Sequence, residues 1–224
     1  MFTVSDAWKK AYPGAAIGIL AMQGVVNPDS HPELDARKAE LENALRARFS
    51  DHDRAALKAM PVIRAYNDYY KRFGKSYHVQ LQLESIVHKG KSIPRVAALV
   101  ESMFMAELKN QLLTAGHDLD AVQTPVGVDV ADGDEHFTRI SGQDQQMKPG
   151  DMMISDARGL ISSVIYGPDQ RTKITTETTR VLFTVYAPPG IDEDAIRFHL
   201  EDIQAYASVV SPGARTDSLR VYGA

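Results

Sequence analysis

The chain changes character near residue 120, and that change limits its fold more than any single motif. Before it, apolar residues recur at helical spacing. In "PRVAALVESMFMAELKNQLL", residues 94–113, Val96, Leu99, Val100, Phe104 and Leu108 fall on one stripe. "PELDARKAELENALRARF", from Pro32, places Leu34, Ala39 or Leu41, Leu45 and Phe49 on one stripe among charges, with Pro32 suited to a first turn and Ser30 or His31 as cap. Asp51 can cap a further helix that Pro61 interrupts and that resumes as "VIRAYNDYYKRFG", stopped by Gly74. "AAIGILAMQG" is the exception in this half: a continuous apolar run closing on glycine, read as a buried strand. "VQLQLESIVHKG" alternates like a strand at its start and ends like a helix, so both readings stay open.

After residue 120 the signals are short strands and turns. They run "VGVDV", "HFTRI", "DMMISD", "LISSVIY" and "VLFTVY", before a last helix "DEDAIRFHLEDIQAYA" and an edge strand "SLRVYG". Helices first and strands second is the pattern of an α+β domain. Nothing resembles a linker, so residues 1–224 are read as one unit.

Composition narrows the chemistry. The chain has no cysteine, so thiolate nucleophiles and disulfides are excluded. Its seven histidines show neither i, i+4 pairing nor an H-E-x-x-H motif, so no metal is expected. No elbow, Walker or dinucleotide fingerprint occurs, and no cofactor is expected. A net charge of −4 argues against non-specific nucleic-acid binding, and no DNA partner is expected. No apolar run approaches membrane-spanning length, so no membrane partner is expected and the cytoplasm is the expected compartment.

Two stretches carry candidate chemistry. His117 lies in "GHDLD" beside two aspartates at an element boundary, where the first reading of Asp118 and Asp120 is a turn or cap. The run "YGPDQRTKITTETT", opening at Tyr166, packs hydroxyls between two apolar strands. It reads either as a solvated strand face or as a wall offering Asp169, Arg171, Lys173, Thr175, Thr176 and Thr178 to a polar ligand. As a strand it would turn Thr176 and Thr178 to one face and Thr175 to the other.

Taken in order, these segments resemble a known family. "IRAYNDYYKRFGKSYHVQLQLESIVHKGKSIPRVAALVE" is similar to the opening of the B3/B4 module of the phenylalanyl-tRNA synthetase beta chain and its free-standing relatives. "DLDAV", "DGDEHFTRI", "KPGDMMISDARGLISSVIYG" and "TTETTRVLF" match its later steps, so the likeness spans residues 60–187. The resemblance implies a β-sandwich-like core with flanking helices, and an editing activity that hydrolyses a mischarged aminoacyl ester without metal or cofactor. It implies tRNA or an aminoacyl-tRNA as partner, and a pocket between helices and strands. It brings Glu101 and Asp118 to that pocket from the helical side and makes His117 the stand-in for a histidine that the synthetase carries where Ala115 stands here. Phe104 replaces the family's asparagine, Glu101 its aspartate, and Asp169 lies near its tyrosine-contacting glutamate. Hydrolysis in trans is the first expectation; a binding module without chemistry and a small-molecule esterase or amidase are the alternatives.

Overall fold

The computed structural model describes residues 2–224. The first half runs β1 (Phe2–Val4), α1 (Asp6–Ala11), β2 (Ala16–Gln23), α2 (Pro32–Arg48), α3 (Arg54–Ala59), α4 (Pro61–Lys71), α5 (His78–Lys89) and α6 (Ala98–Asn110). The second half is mostly strand: β3 (Leu113–Asp118), β4 (Val126–Val130), β5 (His136–Thr138), β6 (Asp144–Gln146), β7 (Met152–Asp156), β8 (Gly159–Ser163), β9 (Gly167–Pro168) and β10 (Arg180–Ala187). Helix α7 (Glu193–Val210) and edge strand β11 (Arg215–Gly223) close the chain. The α+β class and the helices-then-strands order stand.

Two sheets form the centre, one in the order β1-β4-β7-β8-β9 and the other β11-β2-β10-β3, with β5-β6 as a small separate ribbon. Strand β2 comes from the helical half yet pairs antiparallel with β10, Ala16 opposite Ala187 and Gln23 opposite Arg180. One apolar core spans Ile17 and Leu20 of β2, Val128 and Ile154 of the other sheet, Tyr66 of α4 and Ile203 of α7. A second cluster, Leu34, Leu45, Leu83 and Met105 among its members, holds the helical layer together.

Helix α4 ties the layers. Its tyrosines at 66, 69 and 70 lie on one face by helical spacing, and all are buried. Tyr66 Oη donates to the Tyr186 carbonyl (2.5 Å) and accepts from Leu113 N–H (2.9 Å), joining β10 to β3. Tyr69 Oη donates to Asp151 (2.6 Å) and accepts from Met152 N–H (2.6 Å), while Tyr70 donates to the Val164 carbonyl (2.8 Å). The last two contacts reach the other sheet. Each phenol thus buries a large ring and satisfies its own hydroxyl.

The structure departs from the sequence reading at several places. The ambiguous segment is helix α5, because Val79, Leu83 and Ile86 bury at helical spacing; the alternation of its first five residues does not sort them by burial, since Gln80 is buried and Leu81 is exposed. Gln80 donates to Glu84 (2.6 Å), and Glu84 pairs with Arg54 (2.7 Å). The helix after residue 51 is capped by Asp53, whose carboxylate accepts from Ala56 N–H, rather than by Asp51. Residues 172–179 are a loop rather than a strand. There the hydroxyls bond locally, Thr178 Oγ1 accepting from Thr175 N–H (2.9 Å), which competes with a ladder.

Gly18 faces α7. A Cβ at this position would meet Ile196 Cγ2 at 2.6 Å and Leu200 Cδ1 at 3.2 Å. Gly18→Ala is expected to lower stability by about 1–3 kcal/mol through overpacking. Urea unfolding measures this; a wild-type midpoint would mean that α7 does not seat on β2 as described.

Candidate functional site

Where edge strand β3 faces the end of β8, β9 and the start of α6, the chain leaves a cleft of about 430 Å³. Its walls are mostly apolar: Val96, Val100, Met103 and Phe104 from α6 and the turn before it, Leu113 to Gly116 from β3, and Val164, Pro168, Ile140 and Ile174 opposite. Ile174 sits close because position 116 is glycine; a Cβ there would meet Ile174 Cδ1 at 2.7 Å. Phe104 and His78 also line a second hollow beside the cleft. His78 is exposed because its ring opens into these hollows, yet the protein crowding it lowers its pKa from the usual histidine value.

Polar groups in the cleft are few, and most are spoken for. Ser163 Oγ donates to Asp151 and accepts from Tyr166 N–H (3.2 Å). The Tyr186 hydroxyl is bonded to Ser162, and Thr114 Oγ1 to His199 Nε2 (2.7 Å). Glu107 differs. Its Oε1 accepts from Thr114 N–H (2.8 Å), but its buried Oε2 has no partner. Burial raises its pKa to about 8, against the milder opposing pull of the Thr114 N–H. At neutral pH this is a carboxylic acid rather than a carboxylate. The sequence reading passed over Glu107, since one glutamate in an amphipathic helix looks like a solvated residue.

Beside the cleft lies a basic cluster. Lys75 Nζ sits 4.6 Å from the Tyr166 ring centroid, and the Arg139 guanidinium 6.0 Å from it. Partial burial and the like charges of Lys148 and Arg139 lower the Lys75 pKa below the usual lysine value. None of the three cations is ion-paired among the described residues. Two of them and the ring adjoin cleft segments: Arg139 precedes Ile140, Tyr166 precedes Gly167, and Lys75 lies three residues before His78, while Lys148 donates to the Phe73 carbonyl (2.6 Å).

The residues singled out from sequence fall into three places. His117, Asp118, Asp169, Arg171 and Thr178 form a seam that pins the 169–179 loop to the strand ends. Thr172 Oγ1 donates its one proton to Asp169, so His117 Nδ1 is the donor to Thr172 (2.8 Å), and His117 Nε2 is left buried without a partner. Burial, then the nearby Arg171 charge, depresses the His117 pKa to about 3. Arg171 grips Asp156 through two bonds of 2.9 Å, and Thr178 donates to Asp118 (2.8 Å). Glu101 sits apart, paired with Lys38 (2.6 Å) and accepting from Val96 N–H (2.9 Å). Tyr166 belongs to the basic cluster. Thr175 bonds within its loop, and Thr176 is exposed.

Thus neither Glu101, Asp118 nor His117 lines the cleft, contrary to the expectation that they meet there. Their side chains are consumed by partners that hold α6 and the loop in place. The loop's contribution to the wall is Lys173 and Ile174 instead. No group of three or more His, Asp or Glu side chains among the described residues is placed to hold a metal ion, and no helix among them is long and apolar enough to cross a membrane.

The sequence profile of the B3/4 domain matches residues 65–207, a span that contains every cleft residue and the seam. Among solved structures, the crystal structure of an N-terminal fragment of the phenylalanyl-tRNA synthetase beta-subunit from Pyrococcus horikoshii has a similar fold, with a TM-score of 0.50 and 10% identity. The likeness covers 100% of this chain and 54% of that one, so the chain spans about half the length of that relative. No curated protein matches the sequence.

Glu107 also makes a stability test. Its native pKa of about 8 lies above the ordinary 4.5, so the folded state keeps a proton that the unfolded chain releases between those values. The stability that this proton confers is present at low pH and is lost as pH rises toward 8. His117 and His199, both depressed to about 3, act oppositely, costing stability as pH falls below about 6.5. Comparison with Glu107→Gln isolates the glutamate. From about pH 5 to 8 the variant should gain about 3 kcal/mol relative to wild type. Parallel urea curves at the two pH values would refute a neutral Glu107.

Proposed function

The chain belongs to the B3/4 domain family, and on that premise we propose that its cleft receives the aminoacyl end of an aminoacyl-tRNA and hydrolyses the ester in trans. The apolar walls suit an amino-acid side chain. The observation that carries the tRNA half of this reading is the pair Lys75 and Arg139 over the Tyr166 ring, neither of them ion-paired and both beside the cleft, with Lys148 close enough to Lys75 to add its charge. Unpaired cations at the edge of a pocket suit phosphates, even on a chain of net charge −4. A free amino acid would need no such cluster. The relative from Pyrococcus horikoshii is a tRNA synthetase subunit, which agrees with this partner. The whole of residues 1–224 acts as one unit in this reading, since α7 and β2 share the core that backs the cleft, and its setting is the cytoplasm.

An aminoacyl ester is already activated, so placing a water against it in an oriented, water-poor site can suffice. His117 then serves as a structural residue, neutral and outside the cleft. The same observation favours a second reading, binding without turnover, in which the cleft protects or delivers the ester.

A deacylation screen over mischarged tRNAs decides between them, with binding of uncleavable amide analogues measured in parallel. Turnover of at least one mischarged tRNA is expected; tight binding with no turnover for any would establish the second reading, and no binding would sink both. His117→Ala should leave the rate per folded molecule unchanged and cost about 1–3 kcal/mol of stability from the broken seam. A tenfold loss of rate at unaltered binding would restore the histidine as a proton shuttle. Lys75→Ala with Arg139→Ala should weaken aminoacyl-tRNA binding and lower its salt slope by about 2, leaving aminoacyl-adenosine binding nearly constant. An unchanged slope would remove the cluster from the interface.

A further inference from the structure

Five buried side-chain polar atoms among the described residues lack a hydrogen-bond partner: Trp8 Nε1, His31 Nδ1, His52 Nδ1, Glu107 Oε2 and His117 Nε2. Only Glu107 among these lines the apolar cleft. Its position is fixed from both ends. Helix α6 carries it, and Oε1 is held by Thr114 N–H at 2.8 Å, on the strand that forms the adjoining wall. An N–H bonds best to the carbonyl oxygen of a carboxylic acid, so Oε1 is that oxygen and the acid proton resides on Oε2. A side chain that lines the cleft therefore carries one O–H group with nothing of the protein to receive it, and because Oε2 is screened from solvent a ligand reaches it only with a small local shift of the wall. An unmade hydrogen bond in a buried site is costly, and a ligand that completes it gains what water otherwise supplies.

We propose that Glu107 donates a hydrogen bond from Oε2 to a carbonyl oxygen of the molecule that occupies the cleft. The ligand class is an apolar body carrying an uncharged carbonyl. Under the aminoacyl reading that oxygen is the ester carbonyl, and the assignment of the carbonyl to an ester rests on that reading. There Glu107 would polarise the bond that water attacks, because a neutral acid in an apolar site stabilises negative charge growing on the oxygen. A carboxylate at this place would repel the same oxygen. The elevated pKa of Glu107 agrees with the neutral form at pH 7.

Other ionisable groups surround it. Tyr66 and Tyr70 on α4 and Tyr77 before α5 lie close enough to interact with the carboxyl, and burial raises the pKa of each. Across the cleft stand His78, Tyr186 and Lys173, and His199 reaches Thr114 from α7. The pKa values of both histidines are lowered and that of Tyr186 is raised, so these groups stay neutral above pH 7 while Glu107 gives up its proton.

Acetophenone and α-methylstyrene test this directly, since they share a shape and differ in C=O against C=CH₂. Their affinities for the full chain can be read from chemical-shift titration at about pH 7 and about pH 9.5. In wild type at the lower pH, the preference for acetophenone should exceed that of Glu107→Leu by about fivefold or more. Raising the pH should abolish the wild-type preference but spare that of Glu107→Gln, whose amide keeps both the acceptor and the donor and leaves Lys173 in place. Equal preferences in wild type and Glu107→Leu would overturn the proposal, as would a wild-type preference indifferent to pH, or failure of both probes to enter the cleft. Should Glu107→Leu not fold, the pH comparison of wild type with Glu107→Gln decides alone. An aminoacyl-tRNA that fails to bind, alongside a positive ketone result, would reject the proposed function and leave the Glu107 assignment intact.

Discussion

Three phenols on one helix fix the distance between the two sheets. Tyr66 bonds to β10 and the start of β3, whereas Tyr69 and Tyr70 bond to the ends of β7 and β8 in the other sheet. The cleft lies between β3 and the Ser163–Pro168 segment, both of which these phenols tie to α4. Stacking extends the support: Tyr77 lies on Tyr66 with centroids 4.3 Å apart and bonds the Gln111 carbonyl at 2.8 Å, at the turn between α6 and β3. A residue that buried a ring but lacked the hydroxyl would fill the volume and leave the strand ends unbonded.

Around this frame, polar residues serve two separate purposes. The seam of His117, Thr172, Asp169, Arg171 and Asp156 is internally satisfied at almost every atom and keeps the loop that carries Ile174 against Gly116. Glu107 Oε2 and the cations over Tyr166, Lys75 and Arg139, are the contrast, since the one has no hydrogen-bond partner and the others no ion-pair partner among the described residues. Ligand recognition belongs to groups of the second kind. A side chain whose hydrogen bonds are all made within the protein has little left to offer.

Periodicity made much of the fold legible, because α2, α6 and α7 bury apolar residues at helical spacing and β2 and β10 are near-continuous buried runs; the charges that α2 and α6 bury, Lys38, Glu42, Glu101 and Glu107, are what the pattern did not show. Strand β3 was not legible. Its sequence, "LTAGHD", is rich in residues that favour turns, and α6 ends without glycine: Gln111 itself takes the left-handed conformation, at φ 58°, and ties its amide to the Leu108 and Lys109 carbonyls. The candidate site was harder still. Residue types suggested His117 and the threonines, and the family resemblance Asp118 and Glu101, but sequence shows which groups can do chemistry and not which have already found partners. Lys38, distant in sequence, neutralises Glu101, and Thr172 occupies His117. Glu107 was hidden for the converse reason, since its importance comes from a bond that is absent.

The central claim is that ligand binds in the cleft between α6 and β3, not at the seam that the sequence suggested. A crystal structure of the chain with an uncleavable aminoacyl-adenosine amide tests it most directly. The account predicts the aminoacyl group between Phe104 and Ile174, its carbonyl within hydrogen-bonding distance of Glu107 Oε2 and the nucleoside toward Lys75 and Arg139. Density instead at the surface formed by Thr138, Arg158, Asp169 and Arg171, with the cleft unchanged, would contradict it.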